Sequence, residues 1–245
     1  MYKRQPERYA LHNFNGTVNL LHAAGTAGVR HFVFSSSAAV YGEPQYLPLD
    51  ENHPTEPANF YGQTKLQIEM LLSWFSRLRN MRYAGLRYFT AAGYDPDGEV
   101  RGLEKEPNNL LPLVLETLLG WRENLEVYGT DYDTEDGSCI RDYIHVSDLA
   151  DAHLRALNFL EEHDEDLVLN LGTSKGISVL EILDAARKVS GMDLPVIHSD
   201  RRPGDPAVVL ASAEKAERLL EWSPAFSDVE TILKTMLAAY RSHHR

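Results

Sequence analysis

Apolar positions along this chain follow two alternating rhythms. In residues 7–27, Tyr9, Leu11, Phe14, Val18, Leu20 and Leu21 recur at helical spacing, and Gly25 and Gly28 close the stretch. HFVFSSS (31–37) is short and almost continuously apolar, which predicts a strand buried on both faces of a parallel sheet. Residues 42–60, rich in Pro, Asp and Glu, read as loop. Residues 61–79 predict a helix with Leu66, Met70, Leu71 and Phe75 on its apolar stripe. YAGLRYF (83–89) predicts the next strand, and AAGYDPDGEVRG a loop. The alternation predicts an α/β fold with right-handed crossovers and a doubly wound sheet.

Beyond residue 94 the texture changes. Residues 109–120 predict a helix, LEVYG (125–129) a strand, and DYDTEDGSC an acidic loop. Residues 145–162 predict a helix capped by Ser147 or Asp148, and LVLNLG (167–172) a strand. Ser178 and Glu181 have the spacing of a capping box, opening a helix to about Ser190. The loop RRPGDP precedes VVLA, and helices follow near 213–220 and 228–242.

Composition narrows the partners. Hydrophobic residues are 43% and charged residues 24% of the 245, ordinary for a globular chain. A net charge of −12 argues against nucleic acid or an anionic membrane as partner, so an anionic substrate would need a local basic clamp. The single cysteine, Cys139, rules out an internal disulfide framework and suits a reducing cytoplasm. No apolar run approaches the roughly 18–20 residues of a membrane span. The start, MYKRQPERYALHNF, has no signal-peptide core; it opens inside a helix with no strand before it and reads as a foreign start joined to an interior segment.

In doubly wound nucleotide folds a glycine-rich turn after the first strand meets the pyrophosphate. This sequence has no G-x-G-x-x-G, and Gly25-Thr-Ala-Gly28 reads as a helix C-cap. Either the fold binds no dinucleotide or that unit is missing.

The candidate chemistry lies in NFYGQTK (59–65), which places Tyr61 and Lys65 four residues apart on one helical face. A neighbouring ammonium is expected to lower the phenol pKa and make Tyr61 a general base for an alcohol. Ser36 or Ser37, ending the upstream strand, could hold the reacting hydroxyl where such sheets bind ligands. Other signals fall away. Counted from Asp131, the acidic loop puts Gly137 one place beyond the EF-hand glycine and has no closing bidentate Glu. The ten histidines form no H-x-x-x-H pair, which argues against a metal site, and His145 reads as structural. No G-x-S-x-G elbow supports serine hydrolysis.

Taken together, FVFSSSAAVYG, FYGQTK, LRYF, PNNLLP, YGTDYDTEDGSCIRDYIHVSDLADAH, NLGTSKGISVLE and RRPGD resemble the extended short-chain dehydrogenase/reductase family and, within it, the UDP-glucose 4-epimerases. The resemblance runs from about residue 8 to the end, without the stretch holding the family's glycine loop. It implies a partial Rossmann-type parallel sheet with a smaller α/β substrate-binding lobe: residues 1–95, joined by segments near 145–175, would belong to the NAD-binding domain, and 96–245 mainly to the lobe. It implies NAD as cofactor, a UDP-sugar as substrate and a homodimer for the full-length parent. Catalysis would fall to Ser37, Tyr61 and Lys65. The cofactor would meet Asn13, Ser35, Tyr61, Lys65 and Tyr88; the substrate would meet Ser37, Thr90, Asn109, Leu110, Tyr128, Arg141, Arg202, Asp205 and Val209.

The implied reaction is redox-neutral inversion at the sugar C4. The 4,6-dehydratase branch carries an Asp-Glu pair where this chain has Ala38 and Ala39, and two methyl groups supply neither acid nor base. Thr90 stands where most of these epimerases have Asn, and His12 where Asn is frequent. Val209 stands where some members close the sugar pocket with Tyr, which implies room for N-acetylated hexoses. A competing expectation is a chain that keeps sugar-nucleotide contacts but holds no NAD.

Overall fold

The computed structural model describes residues 6–202 and 204–243, which divide into two units. The first comprises Met1–Phe89, Asp151–Leu171 and Ala211–Trp222. Its opening helical stretch is not one regular helix: α1 (Pro6–Tyr9) passes through a π turn (Ala10–Asn15) into α2 (Gly16–Thr26). Gly28, at φ +77°, supplies the left-handed residue that ends α2, and its N–H reaches the Gly25 carbonyl.

Strand β1 (His31–Ser37) pairs in parallel with β2 (Arg82–Tyr88), and β2 pairs in parallel with β6 (Leu167–Leu171), giving the order β1-β2-β6. The strand enclosed along its length is β2, with Tyr83 to Arg87 all buried. In β1 only Phe34 and Ser36 are buried and Ser35 is exposed, so the expectation of burial on both faces is corrected. A continuous apolar run records strand propensity but does not say how many faces are covered.

Helix α3 (Phe60–Arg79) begins where Asn59 leaves helical geometry and its side chain accepts from the Gly62 N–H at 3.0 Å; it ends at Asn80 in the left-handed region. Its buried face is Gly62, Thr64, Ile68, Glu69, Leu72 and Ser76. This corrects the predicted stripe at two positions, because Met70 is 59% exposed and Leu66 only half-buried, whereas Leu71 and Phe75 pack partly buried against the core. Hydrophobic spacing cannot register Thr64, Glu69 and Ser76, which bury by finding hydrogen-bond partners. A cluster of Leu21, Phe34, Ile68, Leu72, Met81 and Tyr83 fills the space beneath.

The second unit comprises Thr90–Ala150, Gly172–Leu210 and Ser223–Arg245. Its sheet joins β3 (Thr90–Ala92), β5 (Ile140–His145) and β7 (Gly176–Ser178), with β9 (Val208–Val209) pairing β5; β4 (Leu125–Tyr128) and β8 (Val196–Ser199) form a parallel pair. Helices α4 (Leu110–Leu118), α6 (Val179–Ser190) and α8 (Val229–Ser242) pack a core around Leu115, Leu183, Met236 and Leu237. The Ser178–Glu181 capping box is present, as the spacing predicts.

Helix α5 (Val146–His163) starts in this unit at Val146, ahead of both Ser147 and Asp148, so neither stands at the cap position. His145 Nδ1 accepts from the Ser147 N–H at 3.0 Å instead, while Asp148 receives the Ala225 N–H at 2.8 Å and the Phe226 N–H at 3.0 Å. Strands β3, β5, β7 and β8 carry no clear sequence signal. In β5, Arg141 and Asp142 interrupt the pattern. Buried Asp142 is satisfied by the Thr173 N–H and hydroxyl, both at 2.7 Å, and by the Ser174 N–H at 3.0 Å. Among the described residues no helix is long and apolar enough to cross a membrane.

Candidate active site

In the first unit, candidate residues gather at the carboxyl ends of β1 and β2, where ligands bind in sheets of this kind. Ser37 ends β1, and its side chain accepts the Ala39 N–H at 3.2 Å, capping a short 3-10 turn (Ala38–Val40). The first turn of α3, bearing Tyr61, lies directly against that turn: a Cβ on Gly62 would stand 2.2 Å from the Ala39 carbonyl oxygen. A glycine next to Tyr61 therefore permits the approach. The Tyr61 phenol faces the Ser37 hydroxyl, which draws its pKa down. The Ser36 hydroxyl, the other serine considered from sequence, turns away to Glu69 at 2.5 Å.

Lys65 does follow Tyr61 by one turn, but its ammonium donates to the Ser35 carbonyl at 2.8 Å and stands over the Tyr61 and Phe34 rings, 5.6 and 5.0 Å from their centroids. Burial pushes the Tyr61 phenol pKa up, the facing Ser37 hydroxyl draws it down, and nearby Tyr9 adds to the rise. The expected lowering by Lys65 is thus corrected. The strand carbonyl takes the ammonium, and desolvation outweighs what remains. Burial pushes the Lys65 pKa down in turn.

Ser35 and Tyr88 meet directly, the phenol donating to the Ser35 hydroxyl at 2.7 Å, while His153 Nε2 lies 2.5 Å from the same phenol oxygen. Tyr88 has one proton; donating it to Ser35 leaves the phenol oxygen accepting from His153. His153 went unnoticed in the sequence because nothing local ties α5 to β2. Asn13 projects from the π turn and donates to the Thr64 hydroxyl at 3.1 Å, which donates to the Tyr61 carbonyl at 2.8 Å. Such turns inside helices recur at functional sites. An ammonium, two hydroxyls and an amide suit the ribose diol and carboxamide of a nicotinamide nucleoside. The 245 residues offer no glycine-rich turn for a pyrophosphate.

In the second unit Thr90, Asn109, Leu110, Tyr128, Arg141, Arg202 and Asp205 line one cavity of about 220 Å³. Arg141 pairs with Asp205 and donates to the Ile140 carbonyl at 2.8 Å. The Arg202 guanidinium stacks 3.8 Å from the Tyr128 ring centroid. Glu126, not noticed from sequence, accepts from Ser199 at 2.6 Å and from the Tyr128 phenol; these bonds, with Arg202 nearby, hold its carboxyl below the usual range. Buried Cys139 lines the same cavity, and burial pushes its thiol pKa up. Val209 is not among the lining residues but pairs in register with Arg141. An adjoining cavity of about 480 Å³ shares Thr90, Asn109, Leu110 and Tyr143, but its charged lining is Asp95 and Glu104, so it offers a diphosphate no cation.

Comparison with known proteins places these features in a family. The profile of the NAD dependent epimerase/dehydratase family matches residues 2–172. The UDP-glucose 4-epimerase of Streptococcus mutans is 42% identical over 240 residues, covering 98% of this chain and 72% of the relative. The crystal structure of UDP-glucose 4-epimerase from Brucella ovis in complex with NAD superposes with a TM-score of 0.94 at 40% identity, over 96% of this chain and 73% of that one. The enzyme from Stenotrophomonas maltophila, with bound NAD and formylated UDP-arabinopyranose, gives a TM-score of 0.95 at 37% identity, over 99% and 73%.

Proposed function

The chain belongs to the NAD-dependent epimerase/dehydratase family, and on that premise we propose that it interconverts UDP-glucose and UDP-galactose by inverting C4 of the sugar. The observation carrying this reading is the close approach of the first turn of α3, which bears Tyr61, to the turn that Ser37 caps at the carboxyl end of a parallel strand, with Gly62 lacking the Cβ that would stand 2.2 Å from the Ala39 carbonyl oxygen. NAD, when bound, would supply the hydride acceptor and donor that inversion at C4 requires. Ser37 orients the sugar 4-hydroxyl, and Tyr61 moves its proton. Lys65, Ser35, Tyr88 and Asn13 hold the nicotinamide ribose and its surroundings. Lys65 acts mainly by its seat on the Ser35 carbonyl.

In the second unit, Arg141 and Arg202 bind the diphosphate, whose oxygens suit guanidinium forks. Arg141 already holds Asp205, so an incoming phosphate would share or displace an existing anionic partner. Tyr128 lies against the uracil, Asp205 near its ribose, and Thr90, Asn109 and Leu110 border the sugar diphosphate. Val209, paired with the cavity-lining Arg141, puts no bulky ring beside the cavity, which leaves room for an N-acetyl group. Ala38 and Ala39 offer no acid or base on the turn after Ser37, which favours epimerisation over 4,6-dehydration.

The enzyme works in the cytoplasm, with neither nucleic acid nor membrane as partner, and as a homodimer. Met70, Trp74 and Leu78, which are 59%, 54% and 73% exposed along α3, together with exposed Leu11 and Leu20, supply the apolar surface a second copy would cover. A second reading, a chain that binds the sugar nucleotide without turnover, is favoured by the lack of G-x-G-x-x-G in these 245 residues; stoichiometric NAD released on denaturing the purified chain would refute it.

The test of the main reading is conversion of UDP-galactose, followed through a UDP-glucose-dependent dehydrogenase. Tyr61→Phe should lower kcat by about 10²–10⁴-fold with KM little changed. Turnover by Tyr61→Phe at the wild-type rate would refute it.

A further inference from the structure

The serines of β1 meet α3 at three points, each one helical turn from the next. Ser37 faces the Tyr61 phenol and draws its pKa down, the Ser35 carbonyl accepts from Lys65, and the Ser36 hydroxyl donates to Glu69 Oε1 at 2.5 Å. The proposed chemistry uses the first two. The third is enclosed: Ser36, Glu69 and Arg87 are 3%, 4% and 6% exposed.

Arg87 forks onto both carboxylate oxygens, its Nε 3.0 Å from Oε1 and a terminal nitrogen 2.7 Å from Oε2. Its remaining nitrogen donates to the Tyr41 phenol at 2.9 Å, which donates to Asn170 Oδ1 at 2.6 Å. The Asn170 side chain is tied in turn to the Leu49 carbonyl at 2.9 Å. Strand pairing sets Ser36 beside Arg87 and Arg87 beside Asn170, so a polar row crosses β1, β2 and β6 with Glu69 of α3 over it.

Stability alone does not call for such a row. Taking two charges out of water is expensive, and apolar pairs of similar volume are often as stable or more so. Burial of apolar surface is non-directional, whereas a bidentate fork has one geometry. A charged rung can therefore stop α3 from sliding along β1 where apolar packing would tolerate it.

We infer that Glu69, clamped by Arg87 and Ser36, is a positioning residue that sets the register of α3 on β1 and so the approach of Tyr61 to Ser37. The inference rests on the proton-transfer role proposed for Tyr61.

Two variants test it in the 245-residue chain supplied with NAD. Glu69→Met/Arg87→Met replaces the pair by apolar side chains, and Ser36→Ala removes one rung while leaving the pair. Each is read by thermal midpoint, by kcat and KM, and by the titration of carbon-13-labelled Tyr61, assigned with Tyr61→Phe. The double variant should keep or raise the midpoint yet lose about tenfold or more in kcat, with KM within about threefold. Its Tyr61 should titrate lower than in wild type as the phenol slips toward solvent. Ser36→Ala should move kcat and titration the same way, by about threefold in kcat. Wild-type kcat and Tyr61 titration in both variants would overturn the inference. If the double variant fails to fold, Ser36→Ala decides by the same criteria. A wild-type chain that turns nothing over refutes the proposed function, and the Tyr61 titration still decides the positioning role.

Discussion

Gly62→Ala is the smallest perturbation that should separate site geometry from folding. The new Cβ would lie 2.2 Å from the Ala39 carbonyl oxygen and 2.8 Å from its carbon, both backbone atoms. Real Cβ atoms essentially never come within 3.0 Å of such neighbours, so the two segments must part by about 0.8 Å. Either side of that movement reaches the chemistry. If α3 yields, Tyr61 withdraws; if the turn yields, Ser37, which caps it, moves instead.

A displacement approaching 1 Å in a reacting group costs on the order of 10²-fold in rate, and overpacking costs about 1–3 kcal/mol of stability. Gly62→Ala should therefore remain folded with a lowered melting midpoint while kcat falls by about two decades and KM for UDP-galactose stays within about threefold. Gly25→Ala is the control. Its Cβ would meet Met81 Cε at 3.8 Å and Phe75 Cε1 at 3.9 Å, ordinary contacts, so it should gain about 0.5–1 kcal/mol with unchanged kcat. Gly62→Ala with kcat within about threefold of wild type would show that the approach of α3 to the turn does not set catalytic geometry.

In the NAD-free chain the Tyr61 phenol should titrate above the ordinary tyrosine value of about 10, because burial disfavours the phenolate. A raised folded-state pKa contributes stability that is fully present below the unfolded value and fades as pH climbs through the folded one; titration well below 10 in a carbon-13 experiment would contradict this. Arg141→Met should raise KM by about tenfold or more while kcat changes less, as expected for binding shared by ground and transition states, and steady-state kinetics decide it. Val209→Tyr should cut turnover of UDP-N-acetylglucosamine while sparing UDP-glucose; equal exclusion of the N-acetyl substrate by both forms would refute the pocket-room argument. Asp142→Ala should cost about 2–5 kcal/mol in denaturant unfolding, because Thr173 and Ser174 lose a buried acceptor.

Local chemistry is what the residue order specifies well here. The Ser178–Glu181 box, the left-handed stop at Gly28 and the Asn59-capped start of α3 each depend on residues within about one helical turn, so neighbours along the chain suffice. The i, i+4 pairing of Tyr61 with Lys65 is legible for the same reason. Folding decides which partner each group finds when several compete. Lys65 could have faced the phenol oxygen, but β1 brings the Ser35 carbonyl within 2.8 Å and takes it. Glu69 and Arg87 look like solvated charges in one dimension; strand register and helix packing bury them against each other. Polar strands such as β5 escape hydrophobic patterning because partners distant in sequence satisfy Asp142. A hydrogen bond or a desolvation penalty depends on distances across the fold, and a linear pattern holds no information about those until the chain has closed on itself.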